Sequence, residues 1–109
     1  MTGRAKLKGD RAEREAQALL RDLLGVPARR ALGAGRKDDV GDIFGVPLTA
    51  IQVTAADRPS DALAKLAATV EQQERAGALF GALFWRRRGG RFVVVMTPEQ
   101  FACLWREAQ

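Results

Sequence analysis

The sequence predicts an α/β fold in the order helix, three strands, helix, two strands, helix, and three observations lead there. Two segments, from Lys8 to Leu24 and from Pro59 up to Gly77, carry apolar residues at helical spacing. The stretches after each of them alternate in polarity or run continuously apolar with β-branched residues. Glycine and proline separate these segments at Gly25 and Pro27, Gly45 and Pro47, and Gly89 and Gly90.

In the first helix Ala12, Ala16, Leu19, Leu20 and Leu23 form the apolar stripe, and Glu13 falls inside it at about 100° per residue, while Arg14 points nearly opposite. Ala28 to Leu32 reads as a short strand. Gly33, Gly35, Arg36, Lys37, Asp38 and Asp39 make a polar loop before a second strand from Val40 to Phe44. Leu48 to Thr54 alternates, with Ile51 and Val53 on one face and Ala50, Gln52 and Thr54 on the other, so Gln52 and Thr54 stand side by side. The second helix starts at Pro59 with Ser60 as its expected N-cap and Leu63, Leu66, Ala67 and Val70 as its inward stripe. Ala78 to Trp85 and Arg91 to Met96 are apolar enough to be two well-buried strands around the turn RRRGGR. Thr97, Pro98, Glu99 and Gln100 spell a capping box with proline at the first helical position, opening a last helix with Phe101, Leu104 and Trp105. Only the first handful of residues is expected to be loose.

The 109 residues suit one domain, 1–109, and a chain this short buries roughly two thirds of its unfolded surface, so dimerisation would add useful burial. Hydrophobic residues are 47% and charged residues 28% of the chain, dispersed throughout, which favours a packed core over disorder. Neither a signal-peptide pattern nor a membrane-length apolar run is present, and the expected setting is cytoplasmic, with no membrane partner. Cys103 is the only cysteine and reads as a small buried hydrophobe; histidine is absent, so any metal must be held mainly by oxygen. Eighteen Lys and Arg against 13 Asp and Glu give a formal charge of +5, which attracts polyanions such as nucleic acid, although an arginine-rich composition also arises without that role.

Three short motifs stand at matched places in this order: Glu13 in KGDRAERE on the first helix, Asp42 in GDI on the second strand, and Gln52-Val53-Thr54 on the third. This arrangement resembles the PD-(D/E)XK nuclease superfamily, in particular archaeal and phage Holliday junction resolvases, over roughly Lys8 to Met96. In those proteins a helix glutamate and a strand aspartate are followed by Glu-x-Lys on the next strand; here that motif reads Gln-x-Thr. The resemblance implies a restriction-endonuclease-like αβββαβ core with an added strand or edge segment and a C-terminal helix. It implies catalytic positions at Glu13, Asp42, Gln52 and Thr54, with Mg²⁺ or Mn²⁺ held by Glu13, Asp42 and Gln52.

Phosphodiester hydrolysis needs charge neutralisation on phosphate and an activated water, which a carboxylate-bound divalent cation supplies. Gln52 offers an amide oxygen without a carboxylate's charge, and Thr54 brings no positive charge at all. Losing one such stabilising group costs on the order of 10² to 10³ in rate, about 3 to 4 kcal/mol. Lys37 and Lys65 are the lysines that could stand in, although Lys37 is more simply a solvated loop charge and Lys65 lies off the expected inward stripe. Plainer roles stay open: Gln52 and Thr54 as polar residues on a less buried face, Asp42 bonded to backbone amides, Glu13 paired with an arginine.

Lys6, Lys8 and Arg11, Arg29, Arg30, Arg36 and Lys37, and Arg86, Arg87, Arg88 and Arg91 gather in three basic groups able to track phosphates, reading DNA shape rather than sequence. The leading expectation is a resolvase-like endodeoxyribonuclease with a degenerate metal site, acting on branched or duplex DNA as a homodimer. Phe84, Trp85, Phe101 and Trp105 are candidate dimer residues. The alternatives are a catalytically inactive DNA-binding module on the same fold and a phage assembly or protein-interaction subunit.

Overall fold

The computed structural model describes the backbone of residues 2–31 and 41–109 and the side chains from Lys6 onward within those ranges. Its elements follow the expected order: α1 (Thr2–Leu24), β1 (Arg29–Arg30), β2 (Ile43–Phe44), β3 (Thr49–Thr54), α2 (Pro59–Ala76), β4 (Phe80–Arg86), β5 (Phe92–Val95) and α3 (Pro98–Glu107). The strands form one mixed sheet in the order β1-β2-β3-β4-β5. β3 and β4 are parallel, joined by α2 as the crossover helix, and the other neighbours are antiparallel. This mixed α/β architecture with a C-terminal helix is compatible with an αβββαβ core. No helix among the described residues is long and apolar enough to cross a membrane.

The core lies between α1 and the sheet. Ala12, Ala16 and Leu20, at four-residue spacing, bury against Ile43, Ile51 and Val53 with Ala28 closing one side. Small residues on α1 bring the helix close to β3, and this proximity carries Glu13 to the strand edge. Alternation leaves Ala50, Gln52 and Thr54 on the other face of β3, toward α2.

Five expectations are corrected. α1 begins at Thr2 rather than Lys8, because Ala, Lys, Arg and Leu extend the helix and Gly9 is tolerated within it. Arg58, not Ser60, is the N-cap of α2; Pro59 takes the first helical position and Ser60 lies inside the first turn. The buried stripe of α2 is Ala62, Thr69 and Gln72, whereas Leu63 is 54% exposed. β5 is not well buried: it is an edge strand, with Val93 and Val94 open to solvent. Cys103 is half-buried.

Thr69, in the polar stripe of α2, is matched by α3. The capping box forms as expected, with Gln100 N donating to Thr97 Oγ1 (3.1 Å) and Thr97 N donating to Gln100 Oε1 (3.0 Å). The same Gln100 side chain donates through Nε2 to Thr69 Oγ1 and Gln73 Oε1, both at 3.1 Å. A Cβ on Gly81 would sit 2.7 Å from Gln100 Nε2, so the glycine on β4 makes room for this bridge.

Candidate functional site

Asp42 is held rigidly. Its backbone N–H donates to Ile51 O (2.7 Å), its carbonyl accepts from Ala31 N (2.8 Å), and its Oδ2 accepts from Val53 N (2.8 Å). Ile43–Ile51 is the registered pair of β2 and β3, and Val53, two residues further on, bonds to the Asp42 carboxylate in place of a strand carbonyl. Gly41 permits this approach: at φ +120° it takes a backbone geometry L side chains rarely adopt, and a Cβ there would meet Ile51 O at 3.0 Å.

Glu13 is held from β1. Arg30 Nε donates to Glu13 Oε1 (3.2 Å), its Nη2 donates to Asp10 Oδ1 (2.9 Å), and its backbone N–H donates to Gln17 Oε1 (2.8 Å). Burial pushes the Glu13 carboxyl above its usual range, the Asp42 charge pushes it the same way, and the Arg30 hydrogen bond and charge only partly offset them. The plainer roles of Asp42 and Glu13 are thus both present, and both fix the carboxylates in place.

Gln52 and Thr54 are 8% and 7% exposed, so they are buried residues and not a less covered strand face. Thr54 Oγ1 accepts from Ala56 N (3.3 Å). Gln52 Oε1 is buried and finds no hydrogen-bond donor among the described residues. Such an oxygen is costly to leave unpaired and suits a hard cation or an ordered donor.

These four residues share one cleft. Glu13, Asp42, Gln52 and Thr54 line one open cleft of about 430 Å³, together with Lys8 from α1 and Lys65 from α2. No group of three His, Cys, Asp or Glu side chains placed to hold a metal ion occurs among the described residues; the side-chain oxygen donors of the cleft are the two carboxylates, the Gln52 amide and the Thr54 hydroxyl. The carboxylates give the cleft negative charge on one side and the lysines positive charge at its mouth.

The basic residues divide. Lys8 Nζ pairs with Asp57 Oδ1 at 2.8 Å on the loop after β3, and Arg87 and Arg88 add their charge near the same aspartate, so α1 and the β4–β5 turn converge beside the cleft. Arg87 also lies over the Trp85 ring at 4.1 Å, while Trp85 Nε1 donates to Ala56 O (2.8 Å). Lys6, Arg11 and Arg29 are exposed, with Arg11 paired to Glu15. Arg30 and Arg86 correct the expectation: their side chains are 16% and 15% exposed and are spent on Asp10 and Glu13, and on Glu15 at 2.7 Å. Arg36, Lys37, Asp38 and Asp39 lie outside the described residues. Lys65, expected off the inward stripe of α2, is exposed and lines the mouth of the cleft. Comparison with protein-family models, curated proteins and solved structures finds no match to this chain.

Proposed function

We propose that this chain is a DNA-processing protein whose cleft binds Mg²⁺ or Mn²⁺ through Glu13, Asp42 and Gln52 and acts as a weakened, resolvase-like endodeoxyribonuclease on branched or duplex DNA. The observation that carries this reading is Gln52 Oε1, buried without a donor in the same cleft as two fixed carboxylates. When bound, the cation would draw charge from a phosphodiester and make water more acidic. The chain's own residues then have separate tasks. Asp42 and Glu13 present oxygens from a strand edge and a helix, Arg30 keeps Glu13 oriented, and Lys8, Arg87 and Arg88 favour a polyanion at the rim. A homodimer fits the symmetric cutting of a junction, and its cytoplasmic setting remains part of the proposal.

A second reading has its own support. Thr54 brings no charge and its hydroxyl is bonded locally, which favours a protein that retains metal and DNA binding without cutting.

Labelled four-way junction and linear duplex, incubated with Mg²⁺, Mn²⁺ or chelator, separate the two. Because Asp42 also accepts from the Val53 amide, Asp42→Asn is the informative variant: its carbonyl can keep that bond while one charge is lost. Metal-dependent nicking that falls at least about 100-fold in Asp42→Asn supports the enzyme. Equal nicking by the variant overturns the site, and tight binding without nicking selects the second reading.

A further inference from the structure

We propose, resting on the reading of Glu13, Asp42 and Gln52 as a divalent-cation site, that Lys65 is the phosphate-binding residue of the same cleft, supplying from α2 the positive charge that Thr54 lacks on β3. The ligand it takes is a phosphodiester of the DNA backbone, held beside the cation.

Elimination and placement both lead to Lys65. The cleft is lined by two cationic side chains, Lys8 and Lys65. Lys8 stands at the exposed rim, where it shares its charge with Asp57. Arg30, which reaches Glu13, is shared between two carboxylates. Lys65 takes part in none of the ion pairs among the described residues. Its position follows from the phase of α2: with Ala62, Thr69 and Gln72 buried, Lys65 stands about 60° from Ala62 and about 40° from Thr69 around the helix. It therefore borders the inward stripe, and its long flexible stem can carry a compact charge into the cleft mouth. Thr54, by contrast, is only 7% exposed and bonded to Ala56 N, so β3 has no cation to offer there.

The charges make a test with opposite signs. Beside a divalent cation Lys65 is repulsive, and beside a phosphate it is attractive. Replacing it by a neutral side chain must help the metal and harm the DNA, which a purely structural role would not do. Lys65 is exposed on the helix surface, so Lys65→Met keeps the fold, checked by circular dichroism.

The experiment titrates Mn²⁺ into the full chain by calorimetry, then measures a short labelled duplex by fluorescence anisotropy with Mn²⁺ and with chelator, using wild type, Lys65→Met, Lys65→Arg and Glu13→Gln. Lys65→Met is expected to bind Mn²⁺ about threefold more tightly or better, and to lose most of the Mn²⁺-dependent gain in duplex affinity. Lys65→Arg is expected to keep that gain. Glu13→Gln should bind Mn²⁺ at least about tenfold more weakly. If Glu13→Gln behaves so while Lys65→Met changes neither measurement, the role of Lys65 is overturned and the metal site stands. If wild type takes up no Mn²⁺, or Glu13→Gln binds it unchanged, the metal site fails and this proposal fails with it.

Discussion

Glu13 ionises against resistance from burial and from Asp42, so its folded-state pKa lies above the ordinary 4.5. Between 4.5 and that raised value the native state holds more protons than the unfolded chain, and stability falls as pH rises through the window. Glu13→Gln is therefore expected to melt above wild type at pH near 7, with the difference closing below about pH 4.5; thermal unfolding across pH checks it. Glu15, two positions on, behaves in reverse. The Arg86 hydrogen bond, assisted by Arg11, lowers its pKa despite some burial, so its contribution is present above 4.5 and is lost as pH falls through the lowered value. Glu15→Gln should melt below wild type near neutrality, with that gap narrowing in acid. The same scan thus separates a carboxylate whose charge opposes folding from one that ties α1 to β4.

At the scale of elements, Gln100 joins three parts of the fold through one side chain: it completes the cap of α3, meets Thr69 and Gln73 of α2, and lies over Gly81 of β4. Gln100→Ala is expected to cost about 2 to 3 kcal/mol, combining part of a cap with an abandoned buried hydroxyl. Thr97→Ala, which loses only the cap, should cost about 1 kcal/mol; chemical denaturation of both variants measures the difference. The cap was legible as Thr97-Pro98-Glu99-Gln100 because its partners are three residues apart. The bridge to α2 was not, because Thr69 and Gln100 are brought together only by the packing of two helices. That hidden partnership is why the sequence pattern points Leu63 and Ala67 inward. Glu13 was legible because helical periodicity fixes its face; Asp42 was legible only as part of its motif, since it lies in the bend before β2 and its carboxylate is placed by the Val53 amide. The weaker burial of β5 could not be read from Val93 to Val95, since an apolar run does not distinguish an edge strand from a central one.

For the whole molecule, charge and apolar surface are set apart. Lys8, Arg87 and Arg88 gather with the cleft, whereas Phe101 and Trp105 on α3 are more than half exposed and Leu104 lines an apolar groove of about 220 Å³ with Leu20, Leu24, Phe84 and Val94. Phe84 and Trp85, also expected at a dimer surface, are half-buried, and Trp85 is bonded to Ala56. If a second copy covers the groove, Leu104→Arg should convert the dimer to a folded monomer in analytical ultracentrifugation; a monomeric wild type would refute the proposed dimer. The parallel β3–β4 pair has a further consequence in time. Antiparallel β4 and β5 close across a short turn, but β3 and β4 can pair only after α2 has returned the chain, and α1 reaches β4 across 71 positions through Arg86 and Glu15. The β3-α2-β4 unit is the expected folding nucleus, with α1 docking afterwards. Substitution of Leu83 should then slow folding, whereas Ala16→Gly on α1 should chiefly speed unfolding. On that order Glu13, the first of the cleft's two carboxylates to be synthesised, is the later to reach the cleft, so a chain still emerging from the ribosome carries the cleft's residues without the cleft.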